Sequence, residues 1–133
     1  MAESCVFCEL AAGRLPAYVV LEDEHAVAFL TREPASAGHT LVIPRRHVEH
    51  LWDGRPDDVA AVARTVHATA ARLHERLQPD GLTMRQNTGT ASGQRVFHLH
   101  IHLVPRWHGD GHIGWPTPTE PRSDPAAVIQ QLV

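Results

Sequence analysis

The sequence predicts an α+β fold: a mainly antiparallel five-stranded sheet with one long helix and a short N-terminal helix. Short apolar runs of strand length, bounded by turn residues, accompany one much longer stripe of helical period. The third observation is a run near position 100 in which histidines and aliphatic residues strictly alternate. At 133 residues the chain fits one domain over 1–133, with a core over 1–106 and a Gly/Pro-rich tail over 107–133.

The first helix and the strands follow from local signals in chain order. A short helical turn beginning at Cys5 is closed by Gly13, and Pro16 prevents its continuation. A polar connection at 23–25 indicates a hairpin between the first two strands, and Pro44 stops the third strand. The predicted strands are Tyr18–Glu22, Ala26–Thr31, Thr40–Ile43, Leu82–Gln86 and Val96–Val104.

The long helix is predicted to begin near Pro56, a residue suited to a first helical turn. Apolar residues then recur every three or four positions as far as Leu77, so one stripe of this helix faces a core. Residues 107–125 are rich in Gly and Pro and are predicted as extended loop. Residues 126–133 fit either a short strand or a helix.

The composition excludes several classes of protein. Hydrophobic residues make up 43% and charged residues 20% of the chain, as in an ordinary globular domain. The net charge is −3 and the arginines are scattered, so we expect no nucleic acid polymer as a partner, since such binding needs a basic stripe. No apolar stretch is long enough for a membrane span, and no secretory signal is visible. We therefore expect no membrane contact and a cytoplasmic location.

His98, His100 and His102 alternate with apolar residues in the run VFHLHIHLVPR. A period of two is strand geometry, so we expect the three imidazoles to share one face of the fifth strand. Imidazole has the unperturbed pKa nearest neutrality, and such a row can supply a nucleophile, a proton donor or a metal ligand. The alternative is a His-rich metal-binding tract, or a half-exposed strand with incidental histidines.

Two further blocks accompany this run: GHTLVIPRRH over residues 38–47, and Asn87-Thr88-Gly89 followed by Gly93-Gln94. Together they resemble the histidine triad (HIT) family of nucleotide hydrolases and transferases. The resemblance runs from Cys5 to about Arg106. It implies the HIT-like fold, which usually pairs into a homodimer across its sheets, and a small purine nucleotide as ligand.

The resemblance assigns catalytic roles to three histidines. His100, the middle one, matches the nucleophile that forms a nucleotidyl-histidine intermediate, a role for which a neutral imidazole is suited. Its other ring nitrogen must donate to a fixed acceptor, and His39 or a backbone carbonyl is implied for that role. His102 is expected near the leaving group, where it donates a proton or a hydrogen bond. Related transferases carry Gln at this third position, so the intact triad favours hydrolysis.

The resemblance also implies substrate-binding residues. Thr31 stands where the family commonly has an Asp or Asn that binds ribose, and its hydroxyl can still form a hydrogen bond. Arg95 replaces a serine of the phosphoramidase branch and either contacts a polyphosphate tail or faces solvent. A glycine-containing loop after the fourth strand is expected to bind phosphate oxygens, although Asn87 also suits an ordinary turn. The residues implied in this loop are Asn87, Gly89, Gly93 and Gln94.

Cys5 and Cys8 form a Cys-x-x-Cys motif, which by itself is compatible with redox chemistry, with a metal, or with neither. Bacterial members of the family pair this motif with two histidines, which the resemblance places at His47 and His98. Closed coordination by two cysteines and two histidines would make a bound zinc structural. Two reduced, buried thiols are the alternative, and a disulfide is not expected in a cytoplasmic protein.

The leading functional hypothesis is an AMP-forming hydrolase that acts at the α-phosphate of purine nucleoside phosphoramidates. Asn87-x-Gly and Trp115-Pro116 favour phosphoramidates, whereas the run His102–Arg106 is closer to dinucleoside polyphosphate hydrolases. Three alternatives remain open from the residues alone. They are a diadenosine polyphosphate hydrolase, a non-catalytic nucleotide-binding or scaffold protein, and a module in which the triad itself holds a metal.

Overall fold

One antiparallel sheet of five strands is the centre of the fold. The structure is a computed structural model and describes residues 5–111, 114–116 and 122–133. The strands are β1 (Tyr18–Glu22), β2 (Ala26–Leu30), β3 (Thr40–Pro44), β4 (Gly81–Arg85) and β5 (Ile101–Arg106). They lie in the order β1-β2-β3-β5-β4, and every neighbouring pair is antiparallel.

Three α-helices accompany the sheet among the described residues: α1 (Val6–Ala11), α2 (Pro56–Leu77) and α3 (Pro125–Leu132). The long helix has the predicted bounds, with Pro56 in its first turn. It ends where Gln78 adopts a left-handed conformation, φ 52°, and its N–H bonds back to the His74 carbonyl. Single 3₁₀ turns occur at Leu51–Asp53 and Thr90–Ser92.

Different helices cover the two faces of the sheet. Because side chains alternate along a strand, Phe29 and Ile43 pack with Phe7 of α1, whereas Ala28 and Val42 pack on the side of α2 and α3. This double cover explains why every residue of β2 and β3 is buried. The arrangement confirms the predicted α+β class, with a mainly antiparallel five-stranded sheet.

The fifth strand differs from the predicted span Val96–Val104, because β5 begins only at Ile101. The residues before it bend, and the Leu99 N–H donates to the Val48 carbonyl at 2.6 Å instead of joining the ladder with β3. Only His102 of the three alternating histidines therefore lies in a regular strand. The prediction of one strand that carries all three is wrong, since apolar alternation also fits an extended segment held by loop contacts.

The C-terminal residues resolve the choice between strand and helix in favour of a helix. The Asp124 carboxylate accepts from the Ala126 N–H at 3.0 Å and caps α3, and Leu132 is fully buried. Of the segment predicted as loop, residues 112–113 and 117–121 lie outside the described residues. Within the described ranges, no helix combines the length and the apolar character that crossing a bilayer requires.

Candidate active site and metal-binding cluster

A cavity of about 750 Å³ opens on the face of the sheet that α1 covers. Phe7 and Phe29, which pack against each other edge to face, form part of its wall. His102 pairs with Leu41 across β5 and β3, and its side chain therefore points to this face. The predicted site residues that line the cavity are Thr31, His39, Asn87, Gly93, His100 and His102.

His100 is held by a backbone carbonyl. Its Nδ1 lies 2.8 Å from the carbonyl oxygen of His98, and because a carbonyl can only accept, Nδ1 carries the hydrogen. The lone pair of a neutral His100 is then on Nε2. The ring is 8% exposed and lines the cavity. Burial lowers the pKa of His100, against the opposing effect of the carbonyl, so the imidazole is neutral and available as a nucleophile.

His39 contacts His102 rather than His100. The Ala35 N–H donates to His39 Nδ1 at 2.9 Å, which leaves the hydrogen of a neutral His39 on Nε2. That Nε2–H donates to His102 Nδ1 at 2.9 Å, so His102 carries its own hydrogen on Nε2. Of the two groups considered for fixing His100, the carbonyl therefore fills the role, and His39 fixes its neighbour.

Burial keeps both members of this pair neutral. It lowers the pKa of His39 to about 3, and repulsion by a protonated His102 lowers this pKa further. Burial also lowers the pKa of His102 to about 4, and the charges of His100 and Arg85 lower it by smaller amounts. At neutral pH His102 thus presents an N–H hydrogen-bond donor and not a cation.

His98 turns away from the cavity toward the two cysteines. Its Nε2 donates to the Pro44 carbonyl at 2.7 Å, so the lone pair is on Nδ1. This Nδ1 lies 3.3 Å from Cys5 Sγ and 3.5 Å from Cys8 Sγ. Burial lowers the pKa of His98, opposed by the Pro44 contact and aided by the two neighbouring imidazoles. A histidine that binds a metal through one ring nitrogen usually donates the N–H of the other to a carbonyl or carboxylate, which fixes its tautomer and orientation.

The four residues predicted to hold a metal are close together. Cys8 Sγ lies 3.2 Å from His47 Nδ1, and the four ligand atoms all lie within 4.8 Å of one another. A tetrahedral zinc site with ordinary bond lengths has sulfur–nitrogen edges of about 3.5 Å, so the donor set fits in spacing and chemistry. Burial, and then the adjacent Cys5, raise the pKa of Cys8 to about 11, an electrostatic cost that a divalent cation offsets. The cluster could therefore hold a metal ion.

In the loop predicted to bind phosphate, residues 87–94, some residues line the cavity and others hold the loop in shape. Asn87 and Gly93 line the cavity, and the Asn87 amide donates to the Ser92 carbonyl. Gln94 is buried and braces the loop: its Oε1 accepts from the Gly89 N–H at 2.7 Å, and its Nε2 donates to backbone carbonyls. Gly89 and Gln94 are not among the described residues that line the cavity.

Several backbone N–H groups of this loop donate hydrogen bonds to carbonyls of the same loop. The Gly93 N–H bonds to the Thr90 carbonyl, and the Gln94 N–H bonds to the Gly89 carbonyl. The Arg95 N–H has no partner among the described residues, and its exposed side chain lines the cavity.

Thr31 lines the cavity beyond the end of β2. Its N–H donates to the His39 carbonyl at 3.1 Å, and its hydroxyl accepts from the Glu33 N–H at 3.3 Å. The hydroxyl hydrogen stays available for a ligand.

Sequence reasoning missed Arg85 at this site. The guanidinium lies 4.7 Å from the centre of the Trp115 ring, and Trp115 contacts His39 and His102 edge to face. Arg106 donates to the Gly114 carbonyl and so fixes the residue before Trp115. Only the strand register, which pairs Arg85 with His102, could have revealed this arrangement.

Comparisons with known proteins agree with this architecture. The HIT domain family matches residues 12–109. An uncharacterized HIT-like protein of Methanocaldococcus jannaschii is 41% identical over 109 residues, which cover 82% of this chain and 84% of that protein. The adenylylsulfatase HINT3 of Arabidopsis thaliana is 35% identical over 106 residues, 80% of this chain and 54% of that protein.

A solved structure is similar over almost the whole chain. It is a Zn-bound histidine triad family protein from Mycobacterium smegmatis, with a TM-score of 0.85 and 38% sequence identity. The match covers 97% of this chain and 90% of the mycobacterial chain.

Proposed function

This chain belongs to the HIT domain family, a family of nucleotide-binding proteins and hydrolases, and we propose that it hydrolyses purine nucleotides through a nucleotidyl intermediate on His100. One observation carries the proposal. The bond from His100 Nδ1 to the His98 carbonyl leaves the Nε2 lone pair of a neutral imidazole in a cavity large enough for a nucleotide. The first substrates to test are purine nucleoside phosphoramidates, which release AMP.

The reaction has two displacements at the α-phosphorus. His100 Nε2 attacks, the bond to the leaving group breaks, and its electron pair goes to the leaving nitrogen or oxygen. Water then attacks the same phosphorus, and the pair of the phosphorus–nitrogen bond returns to Nε2. The water supplies a hydroxyl to the phosphate and a proton to the leaving group or the solvent, so the net reaction consumes one water.

His102 is proposed to act on the leaving group. Its Nε2–H is the only hydrogen that its tautomer offers, and His39 fixes that tautomer through Nδ1. A donor held at fixed geometry in a partly buried site stabilises charge that develops as the bond breaks. His39 is thus a positioning residue, and His102 is the catalytic one.

We propose that the apolar wall of the cavity receives the base and that Thr31 contacts the sugar. Phe7, Phe29 and Leu41 contribute aromatic and aliphatic surface to this wall. Val20 is not part of this wall and packs in the core on the α2 side. The loop around Asn87 and Gly93 would then bind phosphate oxygens, with the Arg95 N–H as a donor.

A second candidate substrate is a diadenosine polyphosphate. The charged residues among the described part of the cavity lining favour it, because three arginines and a single carboxylate suit a polyanion. These residues are Arg32, Arg85, Arg95 and Glu33.

Incubation in ¹⁸O-labelled water distinguishes these candidates from a scaffold. Adenosine 5′-phosphoramidate and diadenosine tetraphosphate are supplied separately, and the products are separated by chromatography and weighed by mass spectrometry. We expect AMP that carries one solvent oxygen from at least one substrate. Binding of AMP without turnover of either substrate would contradict the hydrolase and support a non-catalytic nucleotide-binding protein.

We propose that zinc occupies the cluster of Cys5, Cys8, His47 and His98 and that its role is structural. A Cys₂His₂ set leaves no open position for a catalytic water. Elemental analysis of the purified protein should find one zinc per chain. Less than a tenth of an equivalent after zinc-supplemented expression would contradict this assignment, and two equivalents would favour a metal on the triad itself.

We propose that the chain forms a homodimer through the edge of β4. This strand ends the sheet, and Leu82 and Met84 on it are 39% and 64% exposed. An uncovered apolar edge strand tends to pair with another strand. Light scattering after gel filtration should give twice the mass of the chain, and Met84→Glu should give the monomer mass. A wild-type monomer at micromolar concentration would contradict the dimer.

A further inference from the structure

We propose that Arg85 forms a subsite for an anionic leaving group. The chain would then prefer nucleotides whose α-phosphate carries sulfate, phosphate or polyphosphate over those that carry an amine. This inference rests on the proposed reaction at His100 and assigns its substrate class.

The position of Arg85 follows from the sheet. Arg85 is directly opposite His102 in the antiparallel pair of β4 and β5, so both side chains lie on the cavity face. The positive charge of Arg85 also contributes to the low pKa of His102, as expected for neighbouring groups. The guanidinium is therefore beside the residue proposed to contact the leaving group.

Arg85 is held in place without being neutralised. Its Nε donates to Asn87 Oδ1 at 3.1 Å, and its planar group stacks at 4.7 Å over the Trp115 ring. The two terminal nitrogens have no hydrogen-bond or carboxylate partner among the described residues. A planar fork of free donors recognises the oxygens of sulfate and phosphate in bidentate fashion.

The hydrogen-bond chain through His102 supports the same substrate class. The chain runs from the Ala35 N–H to His39 and on to His102, so its far end is a backbone amide that cannot supply a proton. His102 can offer a hydrogen bond, but a full proton transfer would leave an unreplenished anion. When a bridging oxygen leaves as sulfate or phosphate, it takes the electron pair of the broken bond and needs no proton. An amine leaving group needs one.

The test compares two substrates in matched variants. Adenosine 5′-phosphosulfate has an anionic leaving group, and adenosine 5′-phosphoramidate releases ammonia. We expect Arg85→Gln to lower kcat/KM for the phosphosulfate by about tenfold to a hundredfold, while the phosphoramidate changes less than about threefold. Arg85→Lys keeps the charge but loses the planar fork, and should fall between wild type and Arg85→Gln.

Arg64→Gln is the control variant. Arg64 is an exposed arginine on α2, which covers the opposite face of the sheet, so the same change of charge should leave both substrates unaffected. Because Arg85 is itself exposed, Arg85→Gln should unfold at the wild-type temperature. An equal loss for both substrates, or no loss for either, would overturn the proposed subsite. Diadenosine tetraphosphate as a third substrate shows whether an extended anion benefits as sulfate does.

A binding measurement separates this inference from the proposed hydrolysis. The non-hydrolysable α,β-methylene analogue of ADP adds one anionic phosphonate to AMP. Calorimetry should show tighter binding of the analogue than of AMP to the wild type, and loss of that difference in Arg85→Gln. If the protein turns over neither substrate but keeps this difference, the hydrolase fails and the subsite stands. If the difference is absent in the wild type, the subsite fails.

Discussion

Two neighbouring histidines of the segment 98–102, His98 and His100, use the same side chain in opposite ways. His98 donates through Nε2 to the Pro44 carbonyl and presents Nδ1 to the cysteines. His100 donates through Nδ1 to the His98 carbonyl and presents Nε2 to the cavity. One histidine has the tautomer of a metal ligand in a closed cluster, and the other has that of a nucleophile in an open site.

A backbone carbonyl thus assigns the role of each of these two imidazoles. A carbonyl fixes which ring nitrogen carries the hydrogen, and the remaining lone pair defines what the residue can do. Phe7 connects the two regions, because its ring contacts both His98 and His100 edge to face. We therefore expect changes on the cavity side to act mainly on rate and changes in the cluster to act mainly on stability.

The largest expected effect is the loss of His100. His100→Ala should lower kcat by at least about a thousandfold, because no other lone pair replaces Nε2. The urea concentration at the midpoint of unfolding should fall by a much smaller factor than kcat. His67→Ala, which removes an exposed imidazole from α2, is the control and should keep the full rate. A His100→Ala protein that retains a tenth of the wild-type rate would remove the nucleophile from the account.

The metal cluster should respond in the opposite manner. Cys8→Ser should abolish zinc binding and lower the free energy of unfolding by about 3 kcal/mol or more, since metal binding is coupled to folding. Elemental analysis and urea denaturation measure both quantities. The remaining folded fraction should still turn over substrate. Complete loss of kcat in protein shown to be folded by circular dichroism would mean that the cluster takes part in the chemistry.

Loss of His102 should lower kcat, and a variant that keeps a hydrogen-bond donor at this position should lose less. His102→Ala should lower kcat by about a hundredfold, because the N–H aimed at the leaving group is lost. His102→Gln keeps an N–H donor and should lose less than His102→Ala. Steady-state kinetics on one substrate decide the point, and equal losses in the two variants would argue against hydrogen bonding as the function of His102.

The smallest expected effect is the acid sensitivity conferred by His39. Its pKa is about 3 in the folded protein and 6.5 ordinarily, so the unfolded chain binds the proton first as the pH falls. The stability from a neutral His39 is therefore complete above about pH 6.5 and is lost as the pH falls toward 3. Between pH 7 and pH 5, His39→Gln should lose about 2 kcal/mol less than the wild type in urea denaturation. Identical losses would contradict a buried neutral His39.

The sequence predicted most of the fold because its signals are local. The period and start of α2 and the stop at Pro44 depend only on neighbouring residues, and these elements lie where expected. The predicted start of β5 was wrong, because the observed start depends on a hydrogen bond from the Leu99 N–H to the carbonyl of Val48, which is distant in sequence. Alternation alone does not distinguish a strand from an extended segment held by such contacts.

The candidate site was partly predictable for a related reason. The resemblance, through its motifs, named the four residues of the candidate metal cluster, which lie close together, and three histidines, two of which line the cavity beside His39. The sequence could not show that His39 bonds to His102 rather than His100, or that Gln94 braces its loop. Arg85 lies outside the motifs and enters the site only through the register of β4 against β5.

Rapid-quench mass spectrometry during turnover tests the central claim most directly. Protein mixed with an adenylyl substrate, quenched within milliseconds and digested, should yield a peptide that contains His100 and carries one adenylyl group. The adduct should be absent in His100→Ala and present in His102→Ala. An adduct on another residue, or wild-type turnover with no adduct at any quench time, would contradict attack by His100 Nε2.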